Sequence, residues 1–216
     1  QPTDVVNGII NSSTSDDPVW LMVCSSIFEK LGELDEAIEF GEVALNIWPD
    51  ENNWLVRLAK LNQLAGNLDK AESYWIEIIQ REQNPEKHIY QFATLLMENN
   101  RAKETLELLD EYKNKLADTV NLHITKGTAL IQGKSIDQLR TEIQLARNFG
   151  QKSLEIEFLE ANAKYLEGKT EQALIKIQEI LMEDKGFYKA HILNAKILRE
   201  NGQNQEAIKE INKSLQ

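Results

Sequence analysis

Three histidines, one cysteine, a serine pair and a Gly-Lys-Thr step are the places in this 216-residue chain where side chains could do chemistry. His88, His123 and His191 are far apart, and none stands three or four residues from another His or Cys, the spacing that sets two metal ligands on one helix face. They read as structural or surface residues. Cys24 is alone, so neither an internal disulfide nor a thiolate cluster can form; in a helix it reads as a small buried hydrophobe. Ser25 and Ser26 lack the strained strand-to-helix turn that exposes a nucleophile. Gly168-Lys169-Thr170 lacks the upstream glycine of a phosphate-binding loop. The many carboxylates fall on what read as solvated helix faces. No catalytic constellation emerges, and the expectation is a non-enzyme without cofactor or metal.

The chain carries 35 acidic and 24 basic residues, a formal charge of −11. Such a field repels phosphates, which argues against nucleic acid and anionic membrane surfaces as partners and leaves proteins or peptides. No run approaches the roughly 20 apolar residues that span a bilayer. No basic-then-apolar leader opens the chain. Gln1 is an unusual start, so a trimmed N-terminus is expected. A cytoplasmic location is favoured, and a periplasmic or membrane-anchored one follows if a leader or anchor once preceded Gln1. With 42% hydrophobic residues and only 4 prolines and 10 glycines, the composition suits a folded protein of long helices.

What would position any functional residue is an internal repeat. Candidate helix-breaking positions recur at Gly32, Gly66, Asn100, Gly133, Gly168 and Gly202, with gaps of 34, 34, 33, 35 and 34. Five residues after each comes a second ladder, Ala37, Ala71, Thr105, Ala173 and Ala207, broken by Gln138 in the fourth unit. The segments "KLGELDEAIEFGEVAL", "QLAGNLDKAESYWIEII", "YLEGKTEQALIKIQEIL" and "RENGQNQEAIKEI" share one plan: an apolar helix end, a Gly, a short polar turn, an Ala and a second amphipathic helix. Gly supplies the left-handed backbone that closes the first helix, and Ala lets two helices approach.

This pattern resembles the tetratricopeptide repeat, a pair of antiparallel helices every 34 residues. The resemblance covers about 18–216 and implies an all-α, right-handed α-solenoid of about six tandem helix pairs. The units are read as 18–51, 52–85, 86–118, 119–152, 153–187 and 188–216, the fourth irregular, with tilted or unequal helices. Asp16-Asp17-Pro18 opens the first as an acidic cap followed by Pro at the first helical turn. Residues 1–17 stand outside the array: Val5, Val6, Ile9 and Ile10 line one face of a candidate short helix, and "NSSTSDD" is a polar linker. At the far end Ile208, Ile211 and Leu215 lack a following unit to cover them.

The resemblance further implies a concave face lined by the first helix of each pair, where partner segments are held. Counting back from the Gly markers places Met22, Arg57, Lys60, Tyr90, Met97, His123, Ile124, Phe158, Leu159 and Tyr165 there. The family's grip on a chaperone-tail carboxylate uses Lys, Asn, Asn, Lys and Arg from three units. The matching positions here hold Met22, Ser26, Arg57, Lys87 and Gln91, so that grip is not expected. An apolar and aromatic strip across the third to fifth units takes its place, suited to a hydrophobic or helical partner segment. The expected function is thus a protein-interaction scaffold or adaptor. The alternative is an assembly subunit that forms a homo-oligomer or a larger complex through its C-terminal end or its N-terminal segment.

Overall fold

The computed structural model describes residues 17–150 and 152–215. Val5, Val6, Ile9 and Ile10, with the rest of the candidate N-terminal helix, lie outside the described residues. Among these, twelve α-helices and one short 3-10 turn (Lys113–Lys115) make up the regular structure. In six of the helices the start recurs at one interval: α1 (Pro18–Leu31), α3 (Asn52–Leu64), α5 (Glu86–Glu98), α7 (Val120–Gln132), α9 (Leu154–Leu166) and α11 (Tyr188–Glu200). Their partners keep the same interval: α2 (Leu34–Ile47), α4 (Leu68–Arg81), α6 (Ala102–Glu111), α8 (Ile136–Asn148), α10 (Thr170–Glu183) and α12 (Asn204–Ser214). Every start is 34 residues after the last, so a residue's counterpart in the next pair is its number plus 34.

This constancy corrects the fourth unit. The residue in the left-handed region there is Lys134, with φ 53°, and not Gly133, whose φ is −74°. The positive-φ positions closing the six first helices are 32, 66, 100, 134, 168 and 202. Lys134 makes the same closure that Gly32 makes: its N–H donates to Ile131 O (3.2 Å) and that of Ser135 to Leu130 O (3.0 Å), as Gly32 and Glu33 donate to Glu29 and Phe28. Nor are the helices of this pair unequal, since α7 and α8 have 13 residues each.

With the marker at 134, the small-residue ladder of the second helices reads Ala37, Ala71, Thr105, Leu139, Ala173 and Ala207, so Leu139 and not Gln138 breaks it. A matching ladder runs along the first helices: Ser25, Ala59, Ala93, Gly127, Ala161 and Ala195, all buried. The one large residue on the first ladder thus coincides with the one glycine on the second. A Cβ on Gly127 would lie 2.7 Å from Leu159 Cδ1 and 3.5 Å from Leu139 Cδ1. The absent side chain makes room for two leucines.

The helices fall into two compact units, residues 1–95 and 96–216. In the first, Asp17 caps α1 by accepting from Val19 N at 2.9 Å. Its core is aromatic: Phe28 stacks on Phe40 at 5.4 Å, Trp54 packs against Leu21 and Ala44, and Trp75 stacks on His88 at 5.9 Å. In the second unit the core is aliphatic. Leu130, Leu139, Ile143, Ile156 and Leu159 form one cluster. Ala161, Ala173, Ile177, Ala190, Leu193 and Ile197 form the next.

Candidate protein-interaction surface

In the first unit, Met22 is half-buried against the Leu21–Ala44–Trp54 cluster. Arg57 is tied back to the preceding helix: Nε donates to Ser25 Oγ (2.7 Å) and Nη2 to Glu29 (3.0 Å). Lys60 is exposed on the same helix and Tyr90 is half-buried.

In the second unit two candidates are core residues. Leu159 is only 1% exposed because it closes over Gly127. His123 is 5% exposed, with Nδ1 2.6 Å from Glu142 and Nε2 2.9 Å from Asp118. His123 entered the candidate face through the misplaced marker at Gly133. Counting from Lys134, the outward positions of α7 become Asn121, Ile124, Thr125, Thr128 and Ile131, and His123 drops out. Ile124 stays, half-buried against the Leu130–Leu139–Ile143 cluster.

Met97, Phe158 and Tyr165 are half-buried, and each makes contacts within the unit. Met97 O accepts from Gln132 Nε2 at 2.9 Å. The Phe158 ring meets Phe187 at 5.8 Å. Tyr165 donates its hydroxyl to Glu200 (2.6 Å), and Lys196 Nζ stands 4.8 Å over its ring. Burial, followed by the Glu200 carboxylate, pushes the Tyr165 phenol up to about 12. Part of the candidate strip is therefore spent on helix–helix packing.

All three histidines are held structurally. His88 lies 3.2 Å from Glu82 and 2.9 Å from Gln91. His191 lies 2.7 Å from Glu210 and 2.9 Å from Lys185 O. No group of three or more His, Cys, Asp or Glu residues is placed to hold a metal ion among the described residues. Nor is any described helix long and apolar enough to cross a membrane.

The last helix pair carries an open apolar surface. Between α11 and α12 runs a groove of about 530 Å³, floored by Ala195 and Ala207, walled by Ile192, Ile208 and Ile211, and edged by Lys196 and Arg199. Ile208 is 61% exposed and Ile211 41%, whereas Ile177, the counterpart of Ile211 one repeat earlier, is 1% exposed beneath α11. The groove is the same face that every earlier pair in this unit covers with the next first helix. As expected from the sequence, Leu215 too is exposed.

The twelve helices among the described residues, in six equally spaced antiparallel pairs closed by left-handed residues and spaced by small ones, give the chain the tetratricopeptide-repeat fold, an all-α repeat solenoid. Solved structures carry the same fold at low identity. A tetratricopeptide repeat protein from Parabacteroides merdae superposes with a TM-score of 0.78 over 98% of this chain and 83% of its own, at 14% identity. The type IV pilus biogenesis factor PilW gives 0.62, covering 89% of this chain and 90% of its own, at 14% identity. YrrB, a tetratricopeptide repeat protein with an unusual peptide-binding site, gives 0.57 over 88% and 97%, at 13% identity. No family model and no curated protein matches the sequence.

Proposed function

We propose that this chain is a non-catalytic protein-interaction scaffold that receives an apolar or helical segment of a partner in the α11–α12 groove. The observation that carries this reading is the exposure of Ile192, Ile208 and Ile211 along one continuous groove, where Ile177, the counterpart of Ile211, is buried and Phe158 and Leu174, those of Ile192 and Ile208, are half-buried. Contiguous exposed apolar surface with a polar edge marks interaction sites. The fold supports the general role, since YrrB, which shares it, has a peptide-binding site.

A second reading keeps the partner on the first-helix faces. It is supported by the half-exposed Tyr90 in one unit and by Ile124, Phe158 and Tyr165 in the other. One comparison separates the two. The immobilised chain is set against native lysate beside two variants, Ile208→Glu/Ile211→Glu and Tyr90→Glu, with helicity checked by circular dichroism. A partner retained by wild type and Tyr90→Glu but lost from the double variant supports the groove. Loss from Tyr90→Glu alone supports the first-helix face, and retention by both variants contradicts both.

A further inference from the structure

The repeat itself describes what fits the open groove. One pair earlier, the equivalent groove is formed by Phe158, Ala161, Tyr165, Ala173, Leu174 and Ile177, and its occupant is α11. Ala190, Leu193 and Ile197 of that helix are buried there. One pair earlier still, α9 enters with Ile156, Leu159 and Ala163 against Leu130, Leu139 and Ile143. Both occupants present apolar side chains at i, i+3 and i+7, one face of a helix.

The α11 occupant also makes a polar contact one turn further on: Tyr165 donates its hydroxyl to Glu200 at 2.6 Å. In α7 the same position is Gln132, which donates to Met97 O at 2.9 Å, and in α9 it is Leu166. At the open groove the position of Tyr165 is taken by Arg199 and that of Asn162 by Lys196. Arg199 has no carboxylate partner among the described residues. A cation where the earlier groove has a phenol calls for an acid where the earlier occupant has Glu200.

We infer that the occupant is an amphipathic helix of another protein, with apolar side chains at i, i+3 and i+7 and a carboxylate at i+10 that meets Arg199 and Lys196. This rests on the groove reading above. A second copy of the chain fits less well. Its α1 would offer Trp20, Val23 and Ile27 at the apolar positions, but Lys30 falls where the carboxylate should be and would face Arg199. Two chains of net charge −11 also repel each other.

The test uses the full chain and three labelled helical peptides of about 20 residues, long enough to hold helix with Ala and Gln at the remaining positions. The first carries Ala, Leu, Ile and Glu at i, i+3, i+7 and i+10. The second has Lys for that Glu, and the third has Ser for the Leu and Ile. Fluorescence anisotropy should show the first binding about tenfold or more tightly than the second, and the third not binding. Arg199→Glu should reverse the order of the first two, and Ile208→Glu/Ile211→Glu should abolish binding with far-ultraviolet circular dichroism unchanged. If the first two peptides bind equally and the double variant loses both, the groove reading stands and the acidic helix is wrong. If no peptide binds, or the double variant binds like wild type, the groove reading itself falls and the inference with it. If sedimentation shows the chain self-associating and Ile208→Glu/Ile211→Glu or Val23→Glu dissolves the assembly, the occupant is a second copy and the inference is overturned.

Discussion

The two units solve one packing problem with opposite chemistry. At one recurring position of the first helix, unit one has Leu21 and Leu55, and unit two has His123, Glu157 and His191. Nineteen residues later, on the second helix of the pair, unit one has Phe40 and Tyr74, and unit two has Glu142, Lys176 and Glu210. Apolar contact in the first unit becomes a hydrogen-bonded pair in the second: His123–Glu142 at 2.6 Å, Lys176–Glu157 at 3.0 Å and His191–Glu210 at 2.7 Å. Where Arg57 bonds Ser25 in unit one, Leu159 closes over Gly127 in unit two. Yet helix starts keep their 34-residue interval throughout. The spacing is therefore held by the left-handed closures and the small-residue ladders, while the bridging positions are free to vary in chemistry.

The largest expected effect lies in the aromatic core. Trp54→Ala, at a site 1% exposed, should destabilise the chain by about 3–5 kcal/mol in urea unfolding. A smaller loss would mean the unit-one core is looser than its packing implies. Next comes a direct exchange of the two chemistries. Glu210→Ala strips His191 and Lys213 of their shared partner and should cost about 2 kcal/mol. The double variant His191→Leu/Glu210→Phe, which copies Leu21 and Phe40, should return to within about 1 kcal/mol of wild type. Failure of that recovery would show that the bridge chemistry is specified and not interchangeable.

Acid should act on unit two. Glu160 is pushed up by burial, but Arg140, with Arg147 and Lys164, more than offsets this and holds its carboxyl below the usual range. Glu167 is lowered by Lys169 and Arg140. In Glu210, Lys213 and His191 likewise outweigh burial. Carboxyls lowered on folding contribute stability above their unfolded value of about 4.3 and lose it as pH falls through the lower folded values. Thermal melts should therefore drop below about pH 4, and Arg140→Gln should flatten that drop; an unchanged profile would remove the network from the account.

Two smaller effects probe the fourth pair. Gly127→Ala gains about 1 kcal/mol of helix propensity but crowds Leu159 by about 1–3 kcal/mol, a net loss of about 1 kcal/mol. Adding Leu159→Ala, which removes the crowding side chain, should make the double variant more stable than the sum of the single changes in a double-mutant cycle. Lys134→Gly should stabilise by about 0.5–1 kcal/mol by relieving a left-handed lysine. A destabilised Lys134→Gly would mean its side chain has a role that the closure geometry does not show.

Much of the fold could be read from the sequence because each repeat carries its own punctuation. In the fourth pair glycine identity and the left-handed conformation part company. Gly133 lies one residue before the position that adopts it, and that single step moved His123 onto the candidate face. Leu159 escapes the count for another reason. Its position varies from repeat to repeat, with Val23 and Arg57 in unit one and the buried Leu159 and Leu193 in unit two, so the count alone does not say which of them is core. The end groove was legible in part: exposed Ile208 and Ile211 follow from counting, but Arg199 facing the place of Glu200 needed the distance across to Tyr165.

The most direct test of the central claim is a methyl spectrum of the full chain, labelled at isoleucine δ1 carbons, titrated with the Ala-Leu-Ile-Glu peptide. Shifts concentrated at Ile192, Ile208 and Ile211, with Ile124 and Ile177 still, are the predicted result. Shifts centred on Ile124, or none at any of the three end-groove isoleucines, would contradict it.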